Sequence, residues 1–149
     1  MFPDGNYLFA EGPILARLRD ALGADVWVDC IGTTDALASG THRFPGAYVL
    51  YAGDVVSEKG AGGGAVSQAE QHWVAAVGVK CAETQATGAK AREIAGKLFL
   101  KALEALQGLE VAPEMRLART TCSLPVMYVG GHLFMAAEFR LTVNVVGGK

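Results

Sequence analysis

Residues 71–81 read Gln71-His72-Trp73-Val74-Ala75-Ala76-Val77-Gly78-Val79-Lys80-Cys81, and this stretch decides the fold. Trp73, Ala75, Val77, Val79 and Cys81 alternate onto one face, the period-two spacing of a pleated strand. Val74, Ala76 and Gly78 leave the other face nearly as apolar. A strand apolar on both faces is covered on both sides. One cover is expected from the chain's own helices; another subunit is a candidate for the second.

Two further strands precede it. Val26-Trp27-Val28-Asp29-Cys30-Ile31 is rich in β formers and is closed by Gly32-Thr33-Thr34-Asp35. Residues 36–43 are small and polar and read as a loop. Phe44-Pro45-Gly46 then turns into a second strand, Ala47-Tyr48-Val49-Leu50-Tyr51-Ala52, which Gly53-Asp54 is expected to end. Residues 57–69 hold the one low-complexity segment, with glycine at 60, 62, 63 and 64. So much glycine holds no fixed backbone cheaply, so a flexible hairpin loop is expected there.

Helices flank the three strands. Residues 1–12 form an N-terminal arm. After it, Pro13 suits a first helical turn, and Ile14, Leu15, Leu18, Ala21 and Leu22 recur at helical spacing up to Gly23. A longer helix is expected from Ala86 or Thr87 to Gln107, with Thr87 as N-cap and Gly108 just past its end. Its apolar stripe is Ala91, Ile94, Ala95, Leu98, Ala102 and Leu106, and Gly96 weakens it by about 1 kcal/mol unless close packing compensates. The remainder reads as a long hairpin around Gly130-Gly131. Leu133, Met135, Ala137, Phe139, Leu141, Val143 and Val145 face inward, while Glu138, Arg140, Thr142 and Asn144 face out. Pro125 makes the preceding strand an edge or breaks it. The order is α-β-β-β-α-β-β. It predicts a single α+β domain over residues 1–149, a mainly antiparallel sheet with two α-helices packed on one face.

Composition narrows the function. The 149 residues are 51% apolar and 19% charged, with 19 glycines, 24 alanines and a net charge of −2. A chain of this size buries roughly two-thirds of its unfolded surface. Disorder is excluded by the apolar content, and a polybasic nucleic-acid binder by the acidic pI of about 5.9. The apolar excess, concentrated in the third and last strands, points to self-association. No stretch reaches the roughly 20 apolar residues of a membrane span, and residues 1–13 lack the pattern of a signal peptide. Cys30, Cys81 and Cys122 form no CxxC pair and are expected to be buried free thiols of a reducing cytoplasm.

Motifs for chemistry are lacking. No GK[ST] follows the glycine loop, and a strand rather than a helix comes after it, which excludes both a phosphate loop and a dinucleotide fingerprint. His42, His72 and His132 have no metal-ligand spacing and read as ordinary histidines at turns or strand ends. No serine sits in a nucleophile elbow. Asp29 and Asp54 suit turn chemistry better than a catalytic pair. Arg116, Arg119 and Arg140 read either as an exposed face paired with Glu138, or as an intersubunit salt-bridge set or a lining that meets DNA.

Five features in order resemble the bacteriophage tail terminator, or tail-completion, family of Mu-like and lambda-like phages. They are the helix Pro13-Ile14-Leu15-Ala16-Arg17-Leu18-Arg19 with its strand; Phe44-Pro45-Gly46-Ala47-Tyr48-Val49-Leu50-Tyr51; and Gln71-His72-Trp73-Val74-Ala75-Ala76-Val77. The helix with Ala95-Gly96-Lys97-Leu98 and Ala102-Leu103-Glu104-Ala105-Leu106-Gln107-Gly108 is fourth, and Pro125-Val126-Met127-Tyr128-Val129-Gly130-Gly131 before the terminal strand is fifth. The resemblance implies a structural virion protein with no enzymatic activity and no cofactor. It implies a homohexameric ring, assembled in the bacterial host cytoplasm, at the head-proximal end of the tail. There the ring ends polymerisation of the tube protein and joins the head connector, and DNA passes through it without sequence-specific binding.

A closed ring needs two different patches on each subunit. Trp73, Ala75 and Val77, with Phe134, Glu138, Arg140 and Thr142, are the candidate subunit interface. Glu58, Lys59, Gly62 and Gly63 are the candidate partner or lumen loop, and Arg116 and Arg119 candidate lumen or interface charges. Another head–tail connector or tube component fits the same composition. A small-molecule-binding or enzymatic α+β domain would instead show a deep pocket with convergent polar groups.

Overall fold

Helix α1 (Glu11–Leu22) buries Ile14, Leu18 and Leu22, one side chain per turn, and leaves Ala21 exposed. Gly23, at φ 84°, closes it by donating its N–H to Arg19 O at 3.2 Å. The structure is a computed structural model describing residues 2–39, 42–57, 62–81 and 88–147. Ahead of α1, a 3-10 turn at Pro3–Gly5 and the rings of Phe2, Tyr7 and Phe9 fold the arm into an aromatic cluster, with Phe2 centred 5.4 Å from Tyr7 and 5.7 Å from Phe9.

The sheet is built on three strands, β2 (Gly46–Val56), β3 (Val66–Lys80) and β8 (His132–Val146). Outside β2 lies β1 (Trp27–Cys30), and outside β8 lie the short strands β6 (Ala118–Thr120) and β7 (Met127–Val129). The order is β1-β2-β3-β8-β6, with β7 also paired to β8. All pairings are antiparallel except β1 with β2, which run parallel because a short helix, α2 (Asp35–Ser39), lies on the connection between them. A separate two-stranded ribbon, β4 (Glu110–Ala112) with β5 (Met115–Arg116), follows the long helix α3 (Ala89–Leu106). The chain is a single α+β domain.

Helices α1 and α3 pack on one face of the sheet. Beneath them lie Ala69, Trp73, Ala75, Val77 and Val79 of β3, Cys81 just past its end, and Leu133, Ala137, Phe139, Leu141 and Val143 of β8, against Ile14, Leu18, Ala95, Leu98 and Leu106. The alternation expected of the last strand is present through Val143; Val145 is partly exposed.

Several elements depart from the sequence reading. Asp35–Ser39 forms α2, where a loop was expected from residue 36 onward. Gly53, at φ 95°, does not end β2: the register with β3 shifts between Tyr51 and Asp54, so the glycine marks a β-bulge and the strand runs on to Val56. Ile94 is half-exposed and lies outside the stripe of α3. The expected start of that helix at Ala86 or Thr87 lies outside the described residues. The strand before Gly130 is broken between β6 and β7, the segment that holds Pro125.

Candidate assembly surfaces

The even-numbered face of the sheet has two halves. At one end the chain covers itself: Leu37 of α2 packs with Tyr48, Ala76 and Phe134, joined by Ile31, Phe44, Met127 and Ala136. Gly78 permits this closeness, since a Cβ there would stand 2.8 Å from the Phe134 ring and 2.9 Å from that of Phe44. His132 stacks on Phe44 at 3.8 Å between centroids, and His42 bonds the Ala36 carbonyl. The second cover of β3 is therefore supplied at this end by the chain's own α2 and the segment before β2, where another subunit had been the candidate.

Further along, the same face turns polar. His72 Nδ1 lies 2.9 Å from Glu138 Oε2 and its Nε2 lies 4.0 Å from Glu70 on the same strand, and Ser123 donates to Glu138 Oε1 at 3.4 Å. Glu70 pairs with Arg140 at 3.7 Å. Glu138 is thus nearly buried by its partners, while Arg140 and Thr142 are exposed. The register sets this up by placing His72 opposite Arg140 and Glu70 opposite Thr142.

Among the candidate interface residues, Trp73, Ala75 and Val77 are 1%, 4% and 0% exposed beneath α1 and α3. They belong to the subunit's own core, because alternation turns them toward the helices, and Phe134 is likewise covered by Leu37 and Phe44. Glu138, Arg140 and Thr142 come together on the polar half-face. Glu58 and Lys59 lie outside the described residues. Gly62 and Gly63 form an exposed 3-10 turn at φ near 63° and 64°, beside the contact of Gly147 N–H with Ala65 O. Exposed Val55, Val56, Val145 and Val146 cap the same end of the sheet.

The arginines separate. Arg116 pairs with Glu110 at 3.0 Å, and Arg119 lies over the Phe99 ring at 5.9 Å. Arg119, Arg140, Gln107, Thr120, Thr121 and Cys122 line an open groove of about 780 Å³ at the β6 edge. At the opposite edge, Trp27 is 41% exposed under the Arg43 guanidinium, 4.2 Å from its ring. Cys81 is buried as expected, but Cys30 is exposed and Cys122 only partly covered; none of the three is in a disulfide. Burial raises both the Cys30 and Cys122 thiols above their ordinary pKa, with Glu11 and Asp29 adding to the effect at Cys30.

A polar chain running from the core to the surface escaped the sequence reading. Gln71, fully buried, donates to the Tyr7 carbonyl at 2.7 Å and accepts the Trp73 indole N–H at 3.1 Å, while the Tyr7 hydroxyl donates to Asp54 at 2.5 Å. The only sequence signal was a glutamine at a core-facing position of β3. Among the described residues, no group of three His, Cys, Asp or Glu side chains is placed to hold a metal, and no helix is long and apolar enough to cross a membrane.

Two outer edges that differ in chemistry, around an ordinary layered core, define a scaffold whose features are surfaces. Residues 4–147 match the family described as phage tail terminator protein, which spans nearly the whole chain. The chain belongs to the phage tail terminator family and is a structural component of a phage tail. No curated protein sequence matches it.

Proposed function

We propose that this chain caps the phage tail tube as a homohexameric ring at the head-proximal end, ends tube polymerisation and presents the surface that joins the head. The observation that carries this reading is membership of the terminator family across residues 4–147. The role is structural and non-enzymatic and uses no cofactor. DNA passes through the ring without sequence-specific contact.

The architecture suits such a role. The two long edges of the sheet carry different side chains, and a heterologous contact between unlike patches closes a ring, whereas a self-complementary patch stops at a dimer. Glu138, Arg140 and Thr142 lie on the polar half-face of β8, toward the β6 edge, and are offered as part of the interface. The end formed by Gly62, Gly63, Val55, Val56, Val145 and Val146 is exposed and apolar, and is assigned to the tube protein or connector. Arg116 and Arg119 are placed at the interface or toward the lumen. The test is to add the purified protein to polymerising tube protein. Growth that stops at a defined length supports the reading; tubes that lengthen unchanged in its presence overturn it.

A further inference from the structure

We propose that neighbouring copies join through opposite edges of the same sheet, the acidic β1 edge of one copy seating against the Arg119 groove at the β6 edge of the next. The proposal rests on the self-assembly in the reading above and names its surfaces.

Charge is divided between the two edges. Residues 20–39 contain Asp20, Asp25, Asp29 and Asp35 and neither lysine nor arginine, whereas residues 115–137 contain Arg116 and Arg119 and neither aspartate nor glutamate. Asp20 lies 3.9 Å from Arg17, and Arg116 is held by Glu110. Asp25, Asp29 and Arg119 are exposed and make no ion pair among the described residues. Two cations lie on this edge itself, Arg19 on the Val28 carbonyl at 3.3 Å and Arg43 over the Trp27 ring, and among the described residues neither makes an ion pair with Asp25 or Asp29. Complementary charges of this kind set orientation and encounter rate.

The main chain of β1 rules out strand addition as the mode of contact. In its parallel pairing with β2, Trp27 and Ile31 donate toward β2, so Val28 and Cys30 turn their polar groups outward. Arg19 takes the Val28 carbonyl, and the Asp29 carboxylate takes the Cys30 N–H at 2.8 Å. The edge is blunted against pairing, and a partner meets it through side chains. Trp27, half-exposed beside Asp29, is the aromatic type that anchors interfaces. The groove of about 780 Å³ beside Arg119 is the concavity it meets. The two patches are unlike and lie on opposite edges, as a head-to-tail contact demands.

Native thiols report this contact. Cys30 lies on β1 and Cys122 lines the groove, while Cys81 is buried. The full chain, free and bound to the ends of tail tubes, is treated with a bismaleimide, and the linked peptides are identified by mass spectrometry. The expected product joins Cys30 of one copy to Cys122 of another and disappears in Cys30→Ser and in Cys122→Ser. Arg119→Glu and Asp29→Lys should each weaken self-association by about tenfold or more, and the double reversal should recover most of it. Assembled copies without the Cys30–Cys122 link, together with an Arg119→Glu variant that assembles normally, overturn the edge contact and leave the ring standing. The link without arrest of tube growth supports the contact and overturns the capping role. Absence of self-association in both settings overturns both.

Discussion

Gln71 donates its side-chain amide to the backbone carbonyl of Tyr7 at 2.7 Å, fastening the N-terminal arm to the middle of the sheet. The same side chain accepts the indole N–H of Trp73 at 3.1 Å, so one buried residue satisfies two groups that would otherwise be orphaned. Gln71→Leu removes the partner and leaves both unpaired, at a cost of about 1–3 kcal/mol. Thermal unfolding should register it as a loss of about 2–4 °C per kcal/mol. An unchanged melting temperature would mean that the arm is not held through this bond.

The Tyr7 hydroxyl at the end of this chain gives stability an alkaline limit. Burial first, and its bond to Asp54 second, push the phenol from 10.0 up to about 12. The folded protein keeps this proton where the unfolded chain has lost it. The contribution is therefore complete below the unfolded value and is lost as pH rises through the folded one. Denaturation midpoints taken through that range should fall more steeply for the wild type than for Tyr7→Phe. Parallel curves would contradict the assignment.

Gly78 tests the self-covered end of the sheet. An added methyl would meet the Phe134 and Phe44 rings at 2.8 and 2.9 Å, so one of them must move. Gly78→Ala is expected to cost about 1–3 kcal/mol by overpacking, read as a lower denaturation midpoint.

Gly96 is expected to behave oppositely. A Cβ at this position in α3 meets nothing within 4 Å, so no close packing justifies the glycine. Gly96→Ala should stabilise the protein by about 0.5–1 kcal/mol through helix propensity alone. A destabilised variant would reveal a contact at this face in the assembled state.

How much of this was legible in the sequence depended on how local the cause was. The period-two runs of β3 and β8 were readable because each is long and its odd positions are apolar. α1 was readable because Ile14, Leu18 and Leu22 recur once per turn. α2 was not, because five residues carry no period and its position is fixed by Leu37 docking on Tyr48, Ala76 and Phe134. Gly53 looked like a strand end because a bulge and a turn both favour glycine; only the pairing with β3 separates them. Trp73, Ala75 and Val77 were placed at an interface because alternation tells which residues share a face, and cannot tell which face the helices take. The pairing of His72 with Glu138 joins residues 66 apart and depends on register. The surfaces that matter for assembly carry no motif, since charge and exposure at a sheet edge leave no fixed spacing.

Electron microscopy of tube ends after addition of the purified protein tests whether a ring of this chain caps the tail tube. A ring should stand at one end of each tube, with end-on averages showing six subunits around an open centre. Bare tube ends, or protein bound there as single copies with no central opening, would contradict it.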